Sequence, residues 1–161
     1  MNTPVYDFLI QYAERDPVRL HMPGHKGRFG APALQRATTL DLTEITGADS
    51  LFEAEGILAE SERNAASLYG TAYTFYSCGG STLCIQTMLL LMKQQGRAVL
   101  AARNVHRAFL NTCVLLDLPV QWIYPRESDG ILSGTYDLAD FEAALQQQTR
   151  PACVYVPSPD Y

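Results

Sequence analysis

The sequence predicts an α/β protein in three layers, a mainly parallel sheet flanked by helices. Three observations carry that prediction. From Thr71 onward, short runs rich in β-branched and aromatic residues alternate with runs of helical length. Glycine, proline or aspartate stands at most of the junctions, where such residues interrupt both helix and strand. Strands separated by single helices are joined by right-handed crossovers, which makes neighbouring strands parallel.

The elements follow in order. Thr3-Pro4 reads as an N-cap with proline at the first helical position, opening a helix to about Glu14 that stops near Asp16-Pro17. "RLHMPGHKGRFGAP", Arg19 to Pro32, reads as an extended loop because glycine and proline recur through it. "DLTEITGADSLFEAEG" is polar and turn-rich. From Ile57 to Tyr69, Leu58, Ala65, Leu68 and Tyr69 recur at helical spacing, with Gly70 at the C-cap position. "TAYTFYS" is a strand candidate. "STLCIQTMLLLMKQQ" is a helix closed by Gly96, and "AVLAA" a short buried strand. "HRAFLNTCVLLD" is a helix and "PVQWIY" a strand. "DLADFEAALQQQ" is a helix capped by Asp137, and "ACVYVPS" a last strand. No internal repeat or low-complexity tract interrupts this order.

The bulk properties exclude some function classes. Of the 161 residues, 47% are hydrophobic and 18% charged, the balance of an ordinary globular domain with one real core. The net charge of -5, with Lys and Arg spread along the chain, argues against nucleic-acid binding, which needs a basic face. "MNTPVYDFLIQ" lacks the basic start and apolar core of a signal peptide, and Met88–Met92 is too short to span a bilayer. Cys78, Cys84, Cys113 and Cys153 form no CxxC pair, so reduced thiols in a cytoplasmic protein are expected.

The stretch most suggestive of chemistry is "SCGGST". A strand candidate leads into Gly79-Gly80, and Ser81-Thr82 opens a helix. Backbone N–H groups at a helix start are unpaired and sit at the positive end of the helix dipole. Gly80 lets a ligand approach the backbone, and the Ser81 and Thr82 hydroxyls add donors, so the group reads as a phosphate cradle. A plain turn with Ser81 as N-cap is the alternative. The loop is neither a Walker A motif, since its lysine is missing, nor GxGxxG. His106, in "AARNVHRAF", follows a strand and starts a helix, which places it on the same edge of the sheet. It is a candidate for stacking on a flat ring or exchanging a proton, or simply a cap. His21 and His25 are four residues apart, but Gly and Pro between them deny the helix that would bring them to one face; no metal site is expected.

"RLHMPGHKGR", "DLTEITGADSLFEAEGILAESERNAASLYGT", "TFYSCGGSTLCIQTML" and "AARNVHRAFLN" together resemble the N-terminal half of the ornithine/lysine/arginine decarboxylases, from about Thr3 to Tyr161. The resemblance implies a pyridoxal 5'-phosphate enzyme of the type I, aspartate-aminotransferase fold. Residues 1–56 would then be an N-terminal arm and loop segment, and 57–161 the first, incomplete part of the cofactor-binding domain. It implies that Gly80, Ser81 and Thr82 hold the cofactor phosphate and that His106 stacks on the pyridine ring as the catalytic histidine. It implies a small basic amino acid as substrate, no nucleic-acid or membrane partner, and a homodimer or higher homo-oligomer in the full-length form. Lys26 is not the lysine that holds the cofactor covalently, which lies downstream in the family. Asp160, in "SPDY", is not the aspartate that pairs with the pyridine nitrogen.

Cys153–Val156 reads as an interior strand, and the chain stops soon after it, where parallel sheets place their functional loops. The expectation is therefore an N-terminal portion of a decarboxylase of lysine, arginine or ornithine, inactive by itself. Another type I enzyme, an aminotransferase or lyase, and a non-catalytic remnant or partner-binding domain are the alternatives. Asp49, Glu53 and Glu55 are candidates to attract a cationic substrate, with N-capping or solvation as the other reading.

Overall fold

A computed structural model describes residues 2–128, 134–147 and 150–158. They fall into two compact units, Met1–Tyr76 and Ser77–Tyr161.

The first unit is helical. It contains α1 (Pro4–Glu14), α2 (Pro32–Leu40) and α3 (Ile57–Tyr69), with α1 packed against both of the others. Proline opens α1 and α2, where its fixed φ suits the first helical turn. Thr3 precedes α1 but does not cap it in the expected way. Its Oγ1 donates to Asp7 Oδ1 (3.0 Å) and its backbone N–H to Asp7 Oδ2 (3.2 Å), so Asp7 reaches back to the helix start. Gly70 closes α3 in the left-handed conformation at φ 66°, as its position predicts. The helix α2 was not read from the sequence, although Ala33, Leu34, Ala37 and Leu40 recur at helical spacing; it buries no residue.

The second unit is the α/β layer structure. It runs α4 (Gly80–Lys93), β1 (Val99–Ala102), α5 (Arg107–Leu115), β2 (Val120–Ile123), α6 (Leu138–Gln147) and β3 (Cys153–Tyr155). The strands form a parallel sheet in the order β2-β1-β3, with Val99 level with Val120 on one side and Cys153 on the other. All four residues of β1 are buried, as a central strand covered on both faces must be. Their side chains alternate. Val99 and Ala101 meet Leu89 of α4 and Phe109 and Cys113 of α5, whereas Leu100 meets Ile123 and Ala144 of α6. Phe109 is fully buried, 4.3 Å from the Tyr155 ring and edge-on to Trp122 at 6.0 Å. Asp137 caps α6 through a bond accepted from Ala139 N (2.9 Å), as expected.

The strand expected over Thr71–Ser77 does not form; this segment joins no ladder among the described residues. Tyr73 and Phe75 stack on each other at 6.3 Å and stand 78% and 79% exposed. Alternating aromatic residues favour an extended backbone, but a strand also needs a neighbour. Here a side chain serves instead, with Tyr76 N donating to Glu62 Oε1 at 2.8 Å. Asp160 lies outside the described residues.

Candidate functional site

Parallel strands send their carboxyl ends to one edge of the sheet, and the second unit gathers its polar candidates there. β1 ends at Ala102 and runs through Arg103–Val105 to α5. α4 leads through a turn at Gly96 into the start of β1, so its own N-terminus lies toward the opposite, carboxyl edge. α4 and α5 pack side by side in the same sense.

The start of α4 is an open helix end. Gly79 is the N-cap and no side chain caps the first turn, so Ser81 lies inside the helix and does not act as the cap. Its N–H and that of Thr82 belong to the group that has no partner within the helix. Gly80 holds φ at 63°, a conformation that costs other L-residues free energy, and a Cβ added to it would meet nothing within 4 Å. At Gly79 the constraint is packing, since a Cβ there would fall 2.5 Å from Leu83 Cβ. Gly80, Ser81 and Thr82 are all exposed.

His106 is the N-cap of α5. Its Nδ1 accepts from Ala108 N at 3.1 Å. A nitrogen that accepts carries no proton, so Nε2 bears it and the ring is pinned by one edge with the rest exposed. Neither α4 nor α5 carries an acidic residue in its first turn, whereas α1, α3 and α6 carry Asp7, Glu60 and Asp140 there. The two helix starts at this edge thus keep their positive end free of a competing carboxylate. An uncapped turn, open space over Gly80, two hydroxyls and no local anion fit a phosphate. Close by, Asn104 N donates to Tyr136 Oη (3.1 Å), while the buried Asn104 Oδ1 has no hydrogen-bond partner among the described residues.

The other candidates are tied up elsewhere. His21 Nε2 lies 2.7 Å from Tyr12 Oη, and His25 Nε2 lies 3.1 Å from Asp41 Oδ2. Lys26 Nζ donates to the His21 carbonyl at 2.5 Å. Among the described residues no three His, Cys, Asp or Glu gather to hold a metal ion. Asp49 has a structural role. Its Oδ1 accepts from the N–H groups of Ser50 and Glu55, and its Oδ2 from those of Gly56 and Leu58, so it caps α3 from a distance. Desolvation raises its pKa, but the four backbone donors, Glu55 first, outweigh that and hold it at about 2.

A groove of about 620 Å³ lies between α1 and α3, floored by Val5, Leu9, Leu58 and Ala65. Its rim groups satisfy one another: Asn64 Nδ2 donates to Asn2 Oδ1 (2.9 Å) and Ser61 Oγ pairs with Tyr76 Oη (2.8 Å). Its lining carries tyrosines but no His, Cys, Lys, Arg or carboxylate, so it does not make a reactive site. Sequence reasoning missed the buried Arg19. It stacks on Tyr12 at 5.1 Å and donates to the carbonyls of Thr39 (2.6 Å), Thr38 (3.4 Å) and Asp41 (3.5 Å) at the end of α2.

Fold and site together define an α/β protein with two helix starts gathered at the carboxyl edge of a parallel sheet. The family model described as Orn/Lys/Arg decarboxylase, major domain, matches residues 3–150, and the chain belongs to that family. An arginine decarboxylase of Halalkalibacterium halodurans is 29% identical over 167 residues, covering 99% of this chain and 34% of that protein. An inducible ornithine decarboxylase of a Lactobacillus species is 26% identical over 155 residues, covering 86% and 21%. Lysine decarboxylase A from Pseudomonas aeruginosa superposes with a TM-score of 0.63 at 23% identity, over 91% of this chain and 22% of that one, a likeness of fold. The chain thus spans about a third of the arginine decarboxylase it matches.

Proposed function

We propose that these residues form the N-terminal part of a pyridoxal-phosphate-dependent decarboxylase of lysine, arginine or ornithine, on the type I fold. One observation carries the reading: the uncapped, glycine-opened start of α4 lies on the same sheet edge as the capped ring of His106. The backbone N–H groups of Ser81 and Thr82, with their hydroxyls, would hold the phosphate at the positive end of α4. Gly80 keeps the approach clear of a side chain. His106, fixed through Nδ1, would offer its ring face to the pyridine ring. Bound pyridoxal phosphate supplies the electron sink for loss of carbon dioxide.

The resemblance places the lysine that anchors the cofactor covalently downstream of these segments, and Lys26 is engaged with the His21 carbonyl. By themselves the 161 residues are therefore proposed to bind the cofactor without turning substrate over. The full-length form is proposed to be a homo-oligomer.

An absorbance titration of the chain with pyridoxal phosphate tests this, run beside Ser81→Ala and His106→Ala and followed by an amine-product assay. Saturable binding is expected, weakened about tenfold by Ser81→Ala, the loss typical of a hydrogen bond to a charged group. His106→Ala is also expected to weaken it. Absence of binding, or binding indifferent to both changes, removes the cradle. Amine production above that of free cofactor removes the claim of inactivity.

A further inference from the structure

We propose that the loop from Arg19 to Arg28 is a proton-sensitive latch in which His25 is the sensor and the Gly27 amide the part released. The argument rests on the polarity of the two bonds His25 makes. Its Nε2 faces Asp41 Oδ2 at 3.1 Å, and its Nδ1 faces the backbone N of Gly27 at 3.0 Å. A carboxylate only accepts and a backbone N–H only donates. Nε2 therefore bears the proton and Nδ1 is a bare acceptor. Proton uptake at Nδ1 would set an imidazolium N–H against an amide N–H, and relief requires the ring to turn or the amide to move, either of which breaks the Gly27 bond.

His21 provides the internal contrast. Its Nδ1 lies 2.5 Å from the Met22 carbonyl, so it donates there, and its Nε2 accepts from Tyr12 Oη at 2.7 Å. Protonation at Nε2 is tolerated, because a hydroxyl can rotate and accept instead. Of the two histidines in "HMPGHK", only His25 opposes a group that cannot reverse.

The surroundings connect that bond to the rest of the first unit. Gly27 sits at φ 75°, and a Cβ on it would lie 2.6 Å from Arg19 Cζ, so Gly27 is pressed against the clamp on α2. Its carbonyl accepts from Gln35 Nε2 of α2 at 2.7 Å. The charged groups around the loop are the Asp41 carboxylate, which faces His25 Nε2, the Arg19 guanidinium against Gly27, and the Lys26 ammonium, which is engaged with the His21 carbonyl. The His25 side chain is 19% exposed and that of Asp41 58%, so protons reach the pair. Acid then exchanges the Gly27 amide bond for a charged His25–Asp41 pair, while the Gly27 carbonyl keeps its bond from Gln35 of α2.

Amide hydrogen exchange of the full chain, corrected for the intrinsic effect of pH, tests the latch at pH 8 and pH 5.5. The protection factor of the Gly27 amide is expected to fall roughly fivefold on acidification, the change matching one ordinary hydrogen bond. The variant His25→Asn is the control, because asparagine Oδ1 can accept from the amide two residues on but does not titrate. It should keep Gly27 protected at both values. Three results overturn the proposal: equal protection of Gly27 at both values in the parent chain, no protection at pH 8, or persistence of the fall in His25→Asn.

Discussion

Replacing Gly80 separates the two reasons a glycine stands at the mouth of α4. The residue holds φ at 63°, and its missing Cβ faces open space. In Gly80→Ala the methyl meets no described atom within 4 Å outside its own helical turn, so the structural cost is the left-handed backbone, about 1–2 kcal/mol. Gly80→Asn occupies the same φ more readily, because asparagine visits that region, and should lose less stability than the alanine variant. Binding should order differently. Both side chains intrude where a phosphate would approach Ser81 N and Thr82 N, so both should weaken pyridoxal-phosphate binding by at least tenfold. Urea melts at pH 7 give the first quantity and the absorbance titration the second. If binding follows stability, with Asn near the parent and Ala below it, then Gly80 serves only the turn and the cradle reading fails.

Other expected outcomes test the frame around the site. Phe109→Ala deletes a fully buried ring between Tyr155 and Trp122 and should cost about 3–5 kcal/mol, read from urea midpoints; a change below about 1 kcal/mol would mean that the three-layer core is misdrawn. Asp49 titrates at about 2, below its ordinary value of 3.8. Because the folded state binds this proton more weakly, the stability it contributes is complete above that ordinary range and fades as pH falls toward 2. The gap in urea midpoint between the parent and Asp49→Asn should therefore be wide at pH 7 and narrow by pH 2.5; a gap constant with pH would show that the carboxylate charge plays no part.

Residues acting through neighbours in the chain were readable, and those acting at a distance were not. The pattern Gly-Gly-Ser-Thr ahead of an apolar run locates the start of α4 because helix capping is local, although the cap proves to be Gly79 rather than Ser81. His106 before an amphipathic run was legible for the same reason, its role as a cap included. The Arg19 clamp was not, because its acceptors are backbone carbonyls 19 to 22 positions away and carry no side-chain signature. Thr71–Ser77 misled because strand propensity describes a residue while pairing describes a neighbourhood. Asp49 was readable as a capping type, but its choice of α3 depends on how the chain between Asp49 and Gly56 folds back.

The central strand has a further consequence. Of the four residues of β1, two are alanines with no exposed surface, and Ala101 lies directly under the cluster that includes Phe109 and Leu89. Short side chains there bring the helical layer close to the sheet, so the thickness of the sandwich is set by methyl groups. His106 caps one helix of that layer and Ser81 lies in the first turn of the other, and their height above the strand ends is inherited from this spacing. A larger residue at position 101 would lift both helix starts together, without touching either one.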